Sequence, residues 1–210
     1  MRKLLLCILF AWPILGIAGA YDDILVAARD GNTETVVVLI GRGLDVNTTD
    51  PDGNTLVSIA ARGNNLTTLK ALIGLRGSIH RRNRFEETPL HVATFAGNLD
   101  IVKTLLAAGA EANSPGWSAL HYASFGGHKD LVALLIQHGA DLNARAPNQW
   151  TAIMLAAKAG HLAIVRDLVV AGADISLTDT AGKTARQIAL DNGSTEIDTA
   201  LAGKWPPDVR

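Results

Sequence analysis

The sequence is short of the residues that most chemistry needs. It has one cysteine in 210 residues, Cys7. A disulfide framework and a cysteine-built metal site are therefore excluded. Aromatic residues make up 5% of the chain, against 48% hydrophobic overall, so its apolar content is aliphatic and alanine-rich. The formal charge is −1, with no basic run, which argues against nucleic acid as the partner. There is no His-x-x-x-His, no Gly-x-Ser-x-Gly and no strand-borne phosphate loop. The longest apolar run, Leu4 to Ile17, is fourteen residues. That is short of the roughly 20 a membrane-spanning helix requires.

What the chain does have is a period. The stretch Thr88-Pro89-Leu90-His91-Val92-Ala93-Thr94-Phe95-Ala96-Gly97 reads as a short helix with punctuation at both ends. Thr88 is a good N-cap, Pro89 suits the first helical position, and Gly97 supplies the left-handed residue that ends the turn. A second helix follows from Asp100 to Leu106, with Ile101, Val102, Leu105 and Leu106 on one face, and Gly109 stops it. Thr88 is matched by Asp22, Thr55, Ser118, Thr151 and Thr184, at steps of 33, 33, 30, 33 and 33 residues. The alanine five positions on recurs as Ala27, Ala60, Ala93, Ala123, Ala156 and Ala189. The first stop recurs as Gly31, Gly97, Gly127, Gly160 and Gly193, and the second as Gly43, Gly109, Gly139 and Gly172. One helix pair cannot bury both its faces alone, so such units stack.

Thr88-Pro89-Leu90-His91 is the signature tetrapeptide of the ankyrin repeat family. Ser118-Ala119-Leu120-His121 and Thr151-Ala152-Ile153-Met154 are near copies, and Ala140-Asp141-Leu142-Asn143 is similar to the family's turn after the second helix. The resemblance implies an all-α solenoid with short β-hairpin fingers, built of about six helix-turn-helix units in one domain over residues 21–210. The units are expected at about 22–47, 51–83, 84–113, 114–146, 147–179 and 180–203, with the first and last as polar caps. In the first unit Thr33, Glu34 and Val37 should face out, and Asp22 and Asp23 should sit in the opening turn. The second unit lacks the tetrapeptide's proline and histidine, carries Arg76 in place of a stop glycine, and is expected to be the least regular. The finger Ser114-Pro115-Gly116-Trp117 is three residues short and should notch the row of fingers.

Residues 1–20 read as a secretory signal peptide. Met1-Arg2-Lys3 is the positive start, Leu4 to Ile17 the apolar run, and Ala18-Gly19-Ala20 the small residues before a cut after Ala20. Removal leaves 17 basic and 20 acidic residues, and no cysteine. An exported, compact, cysteine-free chain of this kind points to a bacterial periplasm, or to secretion. No membrane association is expected after the cut, and the mature chain is expected to be a monomer.

The six histidines each have a repeat-wise role. His91 and His121 close the tetrapeptide, His128 and His161 follow stop glycines, His138 precedes one, and His80 replaces a turn asparagine. No catalytic residue, metal site or cofactor is expected, and an enzyme is the remote alternative. The resemblance implies binding through finger tips and the ends of the first helices, on the concave side. Phe85, Trp117 and Trp150 fall on fingers, while Phe95 and Phe125 fall at first-helix ends. Arg82, Arg84, Arg145 and Lys158 should rim them. Aromatic and arginine side chains are the usual anchors of protein interfaces. The expected function is thus an exported, non-enzymatic scaffold for a protein partner, and a basic rim would suit acidic residues on it. The alternatives are an immunity-type inhibitor of a toxin or enzyme, an accessory of a periplasmic enzyme in oxidant defence, and a binder of a host protein.

Overall fold

The structure is a computed structural model that describes residues 12–203. The charged start and most of the apolar run of the leader lie outside them, as does the expected Pro206-Pro207 tail. The described residues form twelve helices and no sheet. The chain divides into two compact units, Met1–Pro89 and Leu90–Arg210.

The first unit holds α1 (Trp12–Asp30), α2 (Thr33–Gly41), α3 (Leu56–Arg62) and α4 (Leu66–Gly74). Helix α1 packs on α3 and α2 on α4, while α1–α2 and α3–α4 form the antiparallel pairs. Thr55 caps α3, its hydroxyl accepting from the amide of Ser58 at 3.2 Å. The second unit takes α5 (Pro89–Phe95) from Leu90 onward, then α6 (Leu99–Ala107), α7 (Ala119–Gly126) and α8 (Lys129–Gln137). It continues through α9 (Ala152–Ala159), α10 (Leu162–Ala171), α11 (Ala185–Asp191) and α12 (Thr195–Leu201). First helices α7, α9 and α11 pack in one layer, and α6, α8, α10 and α12 in the other. The core of each unit is aliphatic and small: Leu56, Ala60, Leu69 and Leu72 in the first, Leu120, Ala123, Leu131, Leu135, Ala156 and Leu168 in the second.

Neighbouring pairs are tied by one recurring bond. The residue after the first stop donates to the exposed carbonyl at the end of the previous first helix. Asn65 does so to Ala28 and Arg29 (3.1 and 2.8 Å), His128 to Phe95 (3.4 Å) and His161 to Phe125 (3.1 Å). Gly127 is doubly constrained by this arrangement. Its φ is +76°, and a Cβ there would stand 2.7 Å from the His161 ring. A second rung runs between turns: the Asn113 and Asn143 side chains accept from the amides of Asp141 and Asp174, both at 2.8 Å.

Several expectations need correction. Asp22 and Asp23 do not open the first helix, because α1 runs unbroken from Trp12 with no acidic residue in its first turn. Pro13 lies in that first turn, where proline is tolerated. Gly16 and Gly19 cost only about 1 kcal/mol each in a helix interior. The first pair is also not a polar cap. Val26 is 48% and Val38 43% exposed, and Val37 and Tyr21 are exposed beside them. Val26 stands at the repeat position of Ile59, Leu155 and Ile188, each buried under the pair before it. The first pair therefore retains the apolar face of an interior repeat. The last pair is a polar cap, with Lys183–Asp191 and Arg186–Asp198 ion pairs at 2.6 Å. The second repeat keeps regular helices, although Asn64 (φ +57°) and Arg76 (φ +66°) stand in the left-handed conformation where other repeats use glycine. The fingers form no β-ladder among the described residues. Each of two is closed by a single bridge, Thr49 to Thr55 and Thr178 to Thr184. Their tips are instead set by a side-chain oxygen of Asp50, Asn83 or Asp179, each accepting two amides.

Candidate functional site

The ends of the first helices are the natural place to start, because one repeat position there is exposed in every repeat. That position reads Arg29 and Arg62 in the first unit, then Phe95, Phe125, Lys158 and Asp191 in the second. Phe95 is 63% and Phe125 47% exposed. Their carbonyls hold His128 and His161, so the backbone beneath both rings is pinned while the rings face water.

Phe95 is the outer member of an aromatic group. Its ring meets Tyr122 edge-on with centroids 5.9 Å apart. Tyr122 also lies 5.8 Å from Trp117 and 5.8 Å from His91, and Trp117 lies 5.8 Å from His121. Trp117 and Trp150, on the fingers just before the capping residues, are half-buried. The Trp117 ring packs on Tyr122 and His121. The Trp150 carbonyl accepts from His121 at 3.0 Å, and the Lys158 ammonium sits 4.9 Å over its ring. The packing interpretation and the binding interpretation of these aromatics thus divide by residue. Trp117 and Tyr122 pack, whereas Phe95 and Phe125 present.

His121 is the fixed point below the group. Its Nδ1 accepts from the Ser118 amide (3.1 Å) and hydroxyl (2.7 Å), so Nε2 carries the proton it donates to Trp150. Burial holds its pKa below the ordinary 6.5, outweighing the raising effect of the Trp150 and Ala144 carbonyls and the Asp141 carboxylate. A neutral ring bonded on both sides is a structural clamp with no lone pair left for a metal or substrate. Among the described residues no cluster of three or more His, Cys, Asp or Glu side chains could hold a metal ion.

The expected basic rim is already engaged within the chain. Arg82 donates to the Glu86 carbonyl at 2.6 Å. Arg84 pairs with Asp52 at 2.8 Å and lies 4.9 Å over the ring of Phe85. Arg145 donates to Gln149 and to the Thr178 carbonyl, at 2.9 and 3.1 Å. These contacts brace fingers, and they use part of the hydrogen-bonding capacity of the expected cationic border. Phe85, 59% exposed, belongs to the first unit and is described with Arg84 there.

Two features escape a reading of the sequence. Tyr122 is the hub of the aromatic group, and the signal was its place at a repeat position held by aliphatic Val26, Ile59, Val92, Leu155 and Ile188 elsewhere. The other is an open cleft of about 250 Å³ where the finger is short, lined by Asn113, Ser114, Pro115, Ser118, Asp141 and Ala144. Ser114 in its wall shares a 2.8 Å hydrogen bond with His91, which joins the cleft to the aromatic group.

Comparison with known families gives one match. A family model described as ankyrin repeats in three copies covers residues 24–115 and again 111–179. No curated protein matches the chain. No helix among the described residues is long and apolar enough to cross a membrane.

Proposed function

The chain belongs to the ankyrin repeat family, whose members generally serve as protein–protein interaction scaffolds, and we propose that it holds a partner protein on the aromatic edge of its second unit. The observation that carries this reading is the pair Phe95 and Phe125, exposed on consecutive first helices over a pinned backbone. Large rings exposed on consecutive repeats are the kind of apolar surface that marks an interaction site. Covering one on binding contributes about 1.5–3 kcal/mol. Tyr122, Trp117 and Trp150 support the edge from below, and Lys158 borders it. The scaffold is non-enzymatic and works as a rigid surface.

Export precedes binding in this proposal. A cut after Ala20 would start α1 at Tyr21 and bring Asp22 and Asp23 into its first turn, where the helix dipole favours acidic residues. Tyr21 also donates its hydroxyl proton to the Thr49 carbonyl, which would anchor the new terminus. The periplasm, or the medium, is the proposed compartment. Mass analysis of the protein from the exported fraction tests this directly: a chain beginning at Tyr21 supports it, and an intact Met1 rejects it.

Binding is tested with the mature chain and a Phe95→Ala/Phe125→Ala variant as baits in the exported fraction of the native organism. Phe95 keeps only its edge-on contact with Tyr122 and Phe125 is about half exposed, so the variant should melt several degrees below the parent and remain folded. A protein retained by the first bait and lost from the second is the expected result. Equal retention by both would place the interface elsewhere. Assaying the captured protein then separates two roles: activity abolished by the chain marks an inhibitor of immunity type, and activity kept or raised marks an accessory.

A further inference from the structure

The cleft beside the aromatic edge has a volume, a charge and a position, and the three together narrow what can occupy it. Its volume of about 250 Å³ falls below the about 300–1,000 Å³ of pockets that enclose a whole small ligand. It is the right size for one long side chain. The walls are apolar on Pro115 and Ala144 and polar on Ser114, Ser118 and Asn113. The polar groups are mostly committed. Ser118 is bonded to His121, Ser114 to His91, and the Asn113 amide donates to the Gly139 carbonyl and accepts from the Asp141 amide.

Asp141 differs from them. One of its carboxylate oxygens accepts from the Asn143 amide at 2.9 Å, and the residue is exposed and lines the cleft. The neighbouring cations are engaged elsewhere: Arg145 on Gln149 and Thr178, Lys158 over Trp150. His121, the titratable ring nearest the carboxylate, is held neutral by burial. The cleft thus carries negative charge beside apolar walls suited to a methylene stem. Long basic side chains lay their stems along apolar surface while the charged head finds an anion.

We propose that this cleft receives an arginine or lysine side chain of the partner protein, with its cationic head on Asp141 and its stem between Pro115 and Ala144. The proposal rests on the reading that the adjoining aromatic edge binds a protein, and it adds the partner's chemistry. The partner presents a basic residue next to an apolar patch that covers Phe95. It replaces the acidic partner that the sequence pattern suggested. The three-residue deletion in the finger is what makes room, since a finger of normal length would have three more residues in this place.

The test is an NMR titration of the full mature chain with acetyl-Gly-Arg-Gly-amide, and with the same peptide carrying citrulline, which keeps the shape and loses the charge. The expected result is saturable amide shifts at residues 113–118 and 141–144 with the arginine peptide. Binding should weaken about fivefold with citrulline, the scale of a partly exposed ion pair, and by a similar factor in Asp141→Asn. Asparagine keeps the oxygen that holds the Asn143 amide, and the citrulline arm needs no variant at all. Equal shifts from both peptides, or arginine shifts spread over the surface and unchanged in Asp141→Asn, would overturn the proposal. Capture of the partner by the Phe95→Ala/Phe125→Ala variant is measured separately. If that variant loses the captured partner while the cleft ignores arginine, the edge reading stands and the cleft reading falls. If the cleft takes arginine but the variant keeps the partner, the edge reading falls.

Discussion

At the same place in the repeat, the end of the first helix, the first unit differs from the opening repeats of the second. The first unit carries Arg29 and Arg62, and the second carries Phe95 and Phe125. The surrounding fingers differ in the same sense. In the first unit Asn83 donates to Asn54 (2.9 Å), Arg84 pairs with Asp52, and Arg62 reaches Asn54 at 3.4 Å, so its polar surface is spent on itself. In the second, one finger is cut short, a cleft opens, and two phenylalanines stand in water. The positions that fold a repeat are the same in both units. At the ends of the first helices, folding leaves exposed arginines in the first unit and exposed phenylalanines in the second, and the proposed contact rests on the second.

The tie between pairs offers the sharpest contrast. Gly127 to alanine must hold φ at +76° with a Cβ against the His161 ring. The left-handed conformation costs about 1–2 kcal/mol, and losing the His161 bond to Phe125 about 1 kcal/mol more. A total near 3 kcal/mol should lower the melting temperature by roughly 6–12 °C. Asn64 holds the matching place in the first unit and already lives in the left-handed region without glycine. Asn64→Ala should cost only about 1 kcal/mol. Equal losses in calorimetry would mean the two joints are built alike.

The next contrast is a titration. His121 occupies the repeat position of Ser58. It is buried neutral, while in the unfolded chain it protonates near its ordinary value of 6.5. The unfolded state therefore binds the extra proton, and stability falls as pH drops from about 6.5 toward the depressed folded value. Protection factors of the amides over α7 and α9, corrected for the intrinsic slowing of exchange in acid, should fall between pH 7.5 and 5.5, while those of α3 in the first unit show no such change. His121→Asn should remove much of the pH dependence, and the same acid loss in that variant would acquit His121.

Caps give a smaller difference. Thr55 accepts an amide in the first unit, but the buried hydroxyl of Thr151 in the second has no partner. The third residue of α9 is Met154, which cannot reciprocate as His121 does for Ser118. Thr55→Val should cost about 1 kcal/mol, and Thr151→Val close to nothing because no bond is lost. Chemical denaturation of the two variants makes the comparison. The smallest effect is a gain. Arg76 holds φ +66° at a helix stop where other repeats have glycine, so Arg76→Gly should stabilise the first unit by about 0.5–1 kcal/mol.

Much of this was legible beforehand. The all-α repeat stack follows from caps, stop glycines and the apolar stripe, because those signals are local and repeat in phase. The tie histidines were legible for the same reason. The exposed ends of α5 and α7 followed from register, since Phe95 and Phe125 sit where no neighbour can cover them. What was not legible was side-chain contact. Trp117 packs on Tyr122 and His121, a contact that no periodicity encodes. The contacts of the basic side chains were not legible, because partners such as Asp52 and the Thr178 carbonyl come from other turns of the chain. Helix α1 overran Asp22 because the residues before it are helix-compatible, and a repeat boundary is not a helix boundary.

The central claim is that recognition belongs to the second unit's edge. The direct measurement is calorimetric affinity of the captured partner for the mature chain, for Phe95→Ala/Phe125→Ala and for Arg29→Ala/Arg62→Ala. The account predicts a loss of about thirtyfold or more in the phenylalanine variant, at about 1 kcal/mol or more per anchor. It predicts a change of less than about threefold in the arginine variant, whose charges lie outside the contact. An arginine variant that loses as much, or a phenylalanine variant that binds as the parent does, would contradict it.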